Sequence, residues 1–222
     1  LGTLGGTLDQ GTGAARPTNT AGAGPSGGNA LVFDGGDFLA SSLAASAWNP
    51  LHSSGFHVFI VFSQTATGNA FYGLLSTSTT AAGSRGIGVY WDNRSSISLT
   101  ANLRTAVSNG STYVIDPANS GLNNGFAANA WSVLELRYEA GISGDDFSTR
   151  RSGTSIKTAE TSNAASASNA ANTLLIGCLV GATSNGLVGS MADICAFNRA
   201  LSTTEASYVR RGLGAKNSLV VT

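Results

Sequence analysis

The hydrophobic residues of this chain fall in short runs separated by polar clusters. The strongest run is FHVFIVFS at 56–63, where apolar side chains occupy both sets of alternating positions. A strand that is apolar on both faces belongs in the middle of a packed sheet. Further runs with strand character lie at 30–33, 37–40, 71–77, 86–91, 96–103, 111–116, 131–138, on both sides of Ser152-Gly153, and at 173–180 and 187–197. This spacing predicts an all-β sandwich or barrel.

Turn-forming clusters separate these runs. Asp34-Gly35-Gly36 predicts a turn between the first two strands, and Asp92 to Ser95 predicts a hairpin connection. The low-complexity stretch at 163–172 favours an exposed loop, with a helix as the alternative because of its alanines. Residues 1–29 are rich in Gly and Pro and poor in apolar residues, which predicts an irregular N-terminal segment ahead of one domain at 30–222.

One helix is signalled near the end of the sequence. Ser202-Thr203-Thr204-Glu205 is a capping box, in which the serine hydroxyl and the glutamate carboxylate each accept a backbone N–H at the helix start. Two arginines and a glycine at 210–212 are typical of a helix C-terminus. We therefore expect a short helix over 202–211.

Three segments resemble laminin-G-like, concanavalin A-like jelly-roll domains. ALVFDGGDFL at 30–39 resembles the opening of these domains, and 56–76 resembles the strand pair that follows. The closing segment, 174–219, is the most specific, because a strand, an Asn-Arg-Ala-Leu corner and a capped helix occur in one order. The resemblance covers 30–217 and implies an all-β, two-sheet antiparallel jelly-roll sandwich with one short C-terminal helix. It also implies that the corner and the helix are scaffold.

Amino-acid composition limits the kinds of partner that the protein can bind. Twelve basic residues balance twelve acidic ones, and charged residues make up 11% of the chain, which excludes a polybasic nucleic-acid surface. No apolar run approaches the roughly 18 residues of a membrane span, so we expect no membrane insertion. The composition, with 29 glycines and many Ala, Ser, Thr and Asn residues, resembles that of bacteriophage tail, fibre and capsid-decoration proteins. We therefore expect a protein of a virion or extracellular surface.

Catalytic patterns are missing from the sequence. Retaining glycosidases need two carboxylates about 5 Å apart, and glucanases of this fold place them on one strand as Glu-x-Asp-x-Glu. Glu135 and Glu139 are four residues apart, about 13 Å in a strand, and no such triplet exists. His57 lies among apolar residues, which favours a strand residue with a hydrogen-bonded ring over a catalytic base. We expect a non-catalytic protein; an enzyme using carboxylates from different strands is the alternative.

Few residues are candidates for metal binding or for thiol chemistry. Asp34 with Asp37, and Asp145-Asp146, are the carboxylate pairs available for calcium, but Asp34 is expected to cap its own turn. We predict no cofactor, with calcium as the alternative. Cys178 and Cys195 are seventeen residues apart, which suits either a disulfide or two buried thiols and does not suit zinc.

Alternation along two strands predicts a binding face. In 131–138 the two leucines share one face with Ser132 and Tyr138, and in 86–92 one face is formed by Ile87, Val89 and Trp91. Placing both sets inward leaves five candidate ligand-binding residues outward: Trp131, Glu135, Arg137, Tyr90 and Asp92. Aromatic rings can cover the C–H faces of a sugar while charged groups bind its hydroxyls. The alternatives are an ordinary polar face with a cross-strand ion pair, or a face covered by another subunit.

The sequence thus favours a non-catalytic structural or adhesive β-sandwich with a surface glycan or a neighbouring surface protein as its partner. A carbohydrate-active enzyme of the same fold and a purely architectural capsid or tail protein are the alternatives. A homo-oligomer is left open.

Overall fold

The computed structural model describes residues 6–53, 55–65, 71–78, 86–92, 102–107, 128–139, 147–160, 170–179 and 186–222. The strands within these ranges are β1 Leu8–Asp9, β2 Thr18–Thr20, β3 Ala30–Asp34, β4 Leu39–Ser41, β5 Gly55–Gln64, β6 Phe71–Ser76, β7 Ile87–Asp92, β8 Asn102–Val107, β9 Ser132–Glu139, β10 Phe147–Arg151, β11 Thr154–Glu160, β12 Leu175–Ile176 and β13 Val188–Phe197. The helices are α1 Pro50–Ser53 and α2 Thr203–Lys216, with short 3₁₀ turns at Gly13–Ala15, Pro25–Gly27 and Ala45–Trp48.

The strands form two antiparallel sheets. One has the order β1-β4-β12-β6-β7-β8, and the other has the order β11-β10-β9-β5-β13-β3-β2. The main hydrophobic core fills the space between the sheets. A second cluster lies on the outer face of the seven-stranded sheet, where α2 covers it. The predicted two-sheet antiparallel sandwich is confirmed.

Strand β5 occupies the centre of the seven-stranded sheet, between β9 and β13. Phe56, Ile60 and Phe62 point into the main core, whereas Phe59 and Val61 belong to the second cluster. All five side chains are almost fully buried. Burial on both faces explains the continuous apolar run and confirms the central position predicted for this strand.

Helix α2 begins where the sequence predicts. The Ser202 hydroxyl accepts the Glu205 N–H at 3.3 Å, and the Glu205 carboxylate accepts the Ser202 N–H at 2.9 Å, which completes the capping box. The predicted end is wrong, because the helix continues through Gly212 to Lys216. The extra turn buries Leu213 in the second cluster, and that apolar contact favours continuing the helix.

The N-terminal segment is less irregular than expected. Within its described part, β1 pairs with β4 and β2 pairs with β3, so the segment adds an edge strand to each sheet. The turn after Asp34 forms as predicted, with the Gly36 N–H donating to Asp34 Oδ1 at 2.8 Å. The strands on its two sides, however, belong to different sheets, so this turn carries the chain across the sandwich.

Other boundaries differ from expectation. The strand predicted at 96–103 is seen as β8, which begins at Asn102, and the one at 173–180 shrinks to the two residues of β12. The turn at Ser152-Gly153 joins β10 and β11 as expected, with positive φ at both residues. Residues 93–95, 111–116, 145–146 and most of 163–172 lie outside the described residues.

Both cysteines are free thiols. Cys178 is buried and Cys195 is half-buried on β13, so the disulfide alternative is wrong. Burial raises the pKa of the Cys195 thiol.

None of the helices in the described ranges is long and apolar enough to cross a bilayer.

Candidate functional site

Helix α2 and the outer face of the seven-stranded sheet enclose a cavity of about 540 Å³. Its lining is mostly polar, although it lies beside the second hydrophobic cluster. The lining residues are His57, Glu135, Arg137, Ser148, Arg150, Leu201, Ser202, Thr203, Ala206 and Arg210. We take this cavity as the candidate site.

Strand register builds the floor of the cavity. In one cross-strand row, Arg137 of β9 lies opposite His57 of β5 and opposite Ser148 of β10. In the next row, Glu135 lies opposite Arg150. Directly opposite residues of an antiparallel pair share a face, and their Cβ atoms are about 5 Å apart. Three strands therefore bring these polar side chains together on one face.

The N-terminal half of α2 forms the roof. Thr203, Ala206 and Arg210 recur at helical spacing and so share the helix face that is turned toward the sheet. Leu201 and Ser202 complete the roof at the corner before the helix. The capping box fixes where the first turn begins, and this places the roof residues over the floor.

Glu135 is the centre of a buried network. It is 4% exposed, and His57 Nε2 lies 3.1 Å from Glu135 Oε1. The guanidinium of Arg210 donates to Glu135 Oε2 through Nη1, and its Nε donates to the Thr222 carbonyl oxygen at 2.8 Å. Both carboxylate oxygens of this buried glutamate are thereby hydrogen-bonded.

The hydrogen bonds of His57 define its tautomer. The Leu201 N–H donates to His57 Nδ1 at 3.3 Å, so Nδ1 is an acceptor and carries no proton. The proton is on Nε2, which donates to Glu135, and the ring is neutral. The ring also stacks on Phe59, with 4.6 Å between centroids. The prediction of a hydrogen-bonded strand histidine is confirmed.

The network fixes the charge of Glu135. Burial alone would raise the pKa of this carboxyl, but the hydrogen bonds from His57 and Arg210, together with the positive charge of Arg210, lower it below its ordinary value. Glu135 is therefore an anion at neutral pH. Its negative charge is balanced by Arg210.

Two further arginines line the cavity. Arg137 forms an ion pair with Glu139, and both side chains are partly exposed. Arg150 donates from Nη1 to the Gly153 carbonyl oxygen at 3.2 Å and is half-buried. Within the described ranges Arg150 has no carboxylate partner. Among the described residues its guanidinium is thus a cation without a counterion.

Solved structures show the same architecture. The carbohydrate-binding module CBM40 of the Ruminococcus gnavus IT-sialidase has a TM-score of 0.53 at 18% identity, over 74% of this chain and 86% of that one. A Trypanosoma rangeli sialidase has a TM-score of 0.55 at 14% identity over 82% of this chain. A leech intramolecular trans-sialidase has a TM-score of 0.51 at 18% identity over 72% of this chain. The chain is a jelly-roll β-sandwich.

These similarities concern the fold alone, because the identities are so low. The aligned regions cover 27% of the T. rangeli sialidase chain and 24% of the leech chain, so this jelly roll corresponds to about a quarter of those proteins. No protein-family model matches the sequence, and comparison with curated protein sequences gives no match either.

The jelly roll separates the five predicted site residues. Glu135 and Arg137 line the cavity together. Trp131 lies before β9 and packs half-buried against the second hydrophobic cluster. Tyr90 and Asp92 are on β7, in the other sheet, where Tyr90 is 3% exposed. The expectation of one outward face with all five residues is wrong, since alternation distinguishes inside from outside but does not say which sheet a strand joins.

The alternation itself is correct. Leu134, Leu136 and Tyr138 of β9 face the main core, as do Val89 and Trp91 of β7. The opposite face of β9 is covered by α2 instead of being open to solvent. This cover is what turns a polar sheet face into a cavity.

The sequence interpretation missed three of the cavity residues that matter most. The sequence pattern associates Arg210 with the helix end, although its spacing of four from Ala206 and three from Leu213 is a helical signal for the buried face. Ser148 and Arg150 alternate on β10, and no signal in the sequence shows that β10 pairs with β9 at this register.

The calcium candidates do not form a described site. Asp37 is buried, and burial is the main cause that raises the pKa of its carboxyl; its Oδ2 accepts the Asp34 N–H at 3.0 Å. No group of three or more His, Cys, Asp or Glu residues in the described part of the chain is placed to hold a metal ion. Asp145-Asp146 lies outside the described residues.

Proposed function

We propose that this jelly roll is a non-catalytic glycan-binding module of an extracellular or virion surface, and that the cavity under α2 holds the sugar. The observation that carries the proposal is the floor of the cavity. Charged and hydroxyl side chains from three strands meet there, next to an apolar cluster, and their positions are set by strand register. Sugar sites combine such fixed polar groups with an apolar wall.

The described lining of the cavity does not contain the pair of carboxylates that glycoside hydrolysis requires. Among the residues described as lining it, Glu135 is the one carboxylate. Both of its oxygens accept hydrogen bonds, and its lowered pKa keeps it ionised, so it has no proton to give to a leaving group. Glu135 instead orients the arginine and histidine that shape the site.

Two other observations support the proposal. One of the similar solved structures is a carbohydrate-binding module of comparable length. The low charge content and the abundance of small polar residues support a virion surface as the setting. A surface module needs a recognition site and no catalytic centre, which agrees with the chemistry of the cavity.

A glycan array probed with the purified chain tests the proposal, together with a reducing-sugar assay on the glycans it retains. Ser148→Phe would fill the floor of the cavity, so we expect it to abolish retention. Thr18→Phe adds the same ring to β2, at the opposite edge of the same sheet, and should leave retention unchanged. Circular dichroism and thermal melting check that both variants fold.

The outcomes separate the hypotheses. Retention that is lost in Ser148→Phe and kept in Thr18→Phe supports the proposal. Retention that both variants keep would place the site elsewhere. Turnover of a retained glycan would favour the enzyme alternative, and a chain that retains no glycan would leave the architectural alternative.

A further inference from the structure

We infer that the cavity selects an anionic sugar, whose carboxylate or sulfate group binds between Arg150 on the floor and the first turn of α2 in the roof. This inference rests on the proposed function and adds the chemical class of the ligand. It follows from the charges left unbalanced around the cavity.

The charges of the lining do not cancel. Three arginines and one glutamate are among the described residues that line the cavity, and His57 is neutral in its Nε2–H form. Arg210 and Glu135 neutralise each other. Arg137 is paired with Glu139, which is not part of the lining. The described lining therefore carries more positive than negative charge, in a protein whose net charge is zero.

Arg150 is the cation best placed for a ligand. Its one hydrogen bond to a described residue runs from Nη1 to Gly153, which leaves the remaining guanidinium N–H groups without a described partner. Its cross-strand neighbour Glu135 is already occupied by Arg210 and His57. A planar guanidinium matches the two oxygens of a carboxylate or sulfate through paired hydrogen bonds.

The roof adds a second source of positive potential. Ser202 and Thr203 line the cavity at the start of a 14-residue helix. The first amides of a helix have no preceding helical carbonyl to bond with, and the helix dipole favours an anion there. The Ser202 N–H donates to Glu205, so Thr203 is the one of these two lining residues that can offer its backbone N–H to a ligand.

The test compares matched glycans. An array should present neutral oligosaccharides beside counterparts that carry one uronic acid, one sialic acid or one sulfate. We expect the anionic members to be retained at least about 10-fold more strongly, because a charge-assisted hydrogen bond is lost without the anion. Titration calorimetry with the strongest carboxylated and sulfated glycans then distinguishes the two anions, and affinity should fall as sodium chloride is raised.

Variants locate the anion. Arg150→Gln should reduce the preference for an anionic glycan over its neutral counterpart about 10-fold or more. Arg150→Lys keeps the charge but not the paired donors, so its affinity for the anionic glycan should lie between those of wild type and Arg150→Gln. Arg211→Gln removes the same charge from the exposed face of α2 and should have no effect. Melting temperatures confirm that each variant is folded.

Each outcome has one meaning. Equal retention of neutral and anionic glycans would overturn the inference and leave the proposed function standing. Anion preference that survives Arg150→Gln would overturn the assignment of this arginine. Retention of no glycan at all would overturn both the inference and the proposed function.

Discussion

Removing Arg210 should destabilise the protein strongly, because its guanidinium holds a buried carboxylate. Arg210→Met keeps much of the side-chain length and deletes the charge. It removes the ion pair with Glu135 and the hydrogen bond to the Thr222 carbonyl oxygen. Glu135 would then be a buried anion with His57 as its remaining described donor. Breaking a buried ion pair by removing one partner costs about 3–5 kcal/mol, a large part of a typical unfolding free energy of about 5–15 kcal/mol.

Urea unfolding followed by tryptophan fluorescence measures this loss. Arg211→Met, at the next residue but exposed, is the matched control and should stay within about 0.5 kcal/mol of wild type. The double variant Arg210→Met/Glu135→Leu removes both charges and should be more stable than Arg210→Met alone. It should still fall about 1–3 kcal/mol below wild type, because the His57 Nε2–H loses its acceptor.

The pH dependence of stability is a second test of the role of Arg210. In the wild type the pKa of Glu135 is lowered, so its stabilisation is present above the ordinary carboxyl pKa and is lost as the pH falls through the lowered value. Without Arg210, burial dominates and raises the pKa of Glu135, so protonation at mildly acidic pH relieves the unpaired charge. The difference in unfolding free energy between wild type and Arg210→Met should therefore be smaller at pH 5 than at pH 7.

Three results would refute this reasoning. The first is a loss of less than about 1 kcal/mol in the unfolding free energy of Arg210→Met. The second is a double variant that is less stable than Arg210→Met. The third is a difference in stability between wild type and Arg210→Met that grows as the pH falls.

Four further substitutions test the packing by the same unfolding measurement. Leu134→Ala should cost about 2–5 kcal/mol, since this side chain is fully buried between the sheets, and a silent result would contradict the assigned facing of β9. Trp131→Ala should cost about 1–3 kcal/mol through lost contact with the second cluster, and an unchanged midpoint would contradict that contact. Gly153→Ala should cost more than about 1 kcal/mol, because φ is +94° and the added Cβ would lie 2.0 Å from the Thr222 carbonyl oxygen. Gly212→Ala meets nothing within 4 Å on the helix and should stabilise by about 0.5–1 kcal/mol, so a loss there would argue against a helix beyond 211.

Much of the fold could be predicted because local patterns decide it. The apolar run of β5 reflects burial on both faces, and the capping box gives the helix start without tertiary information. The helix end was harder, since Gly212 is a common terminator by type. Burial of Leu213 against the sheet, a tertiary contact, decides that end instead.

The site could be predicted only in part. Alternation correctly placed Glu135 and Arg137 on the outer face of β9. Joining Tyr90 to them required knowledge of which sheet β7 enters, and strand pairing between distant segments leaves no local trace. Arginine side chains are mostly exposed in proteins, whereas here a buried glutamate holds Arg210 beneath the helix.

Helix α2 is at once the cover of the second hydrophobic cluster and the roof of the cavity. The main core lies on the other side of the seven-stranded sheet, so α2 can open locally without exposing it. A ligand that needs the roof binds only the closed form, and at 100 times its Kd it stabilises that form by about 2.7 kcal/mol. Amide hydrogen exchange in α2 should then slow about 100-fold on binding. The backbone of the helix thus becomes a direct reporter of occupancy for a site whose charged groups lie mainly on the strands beneath it.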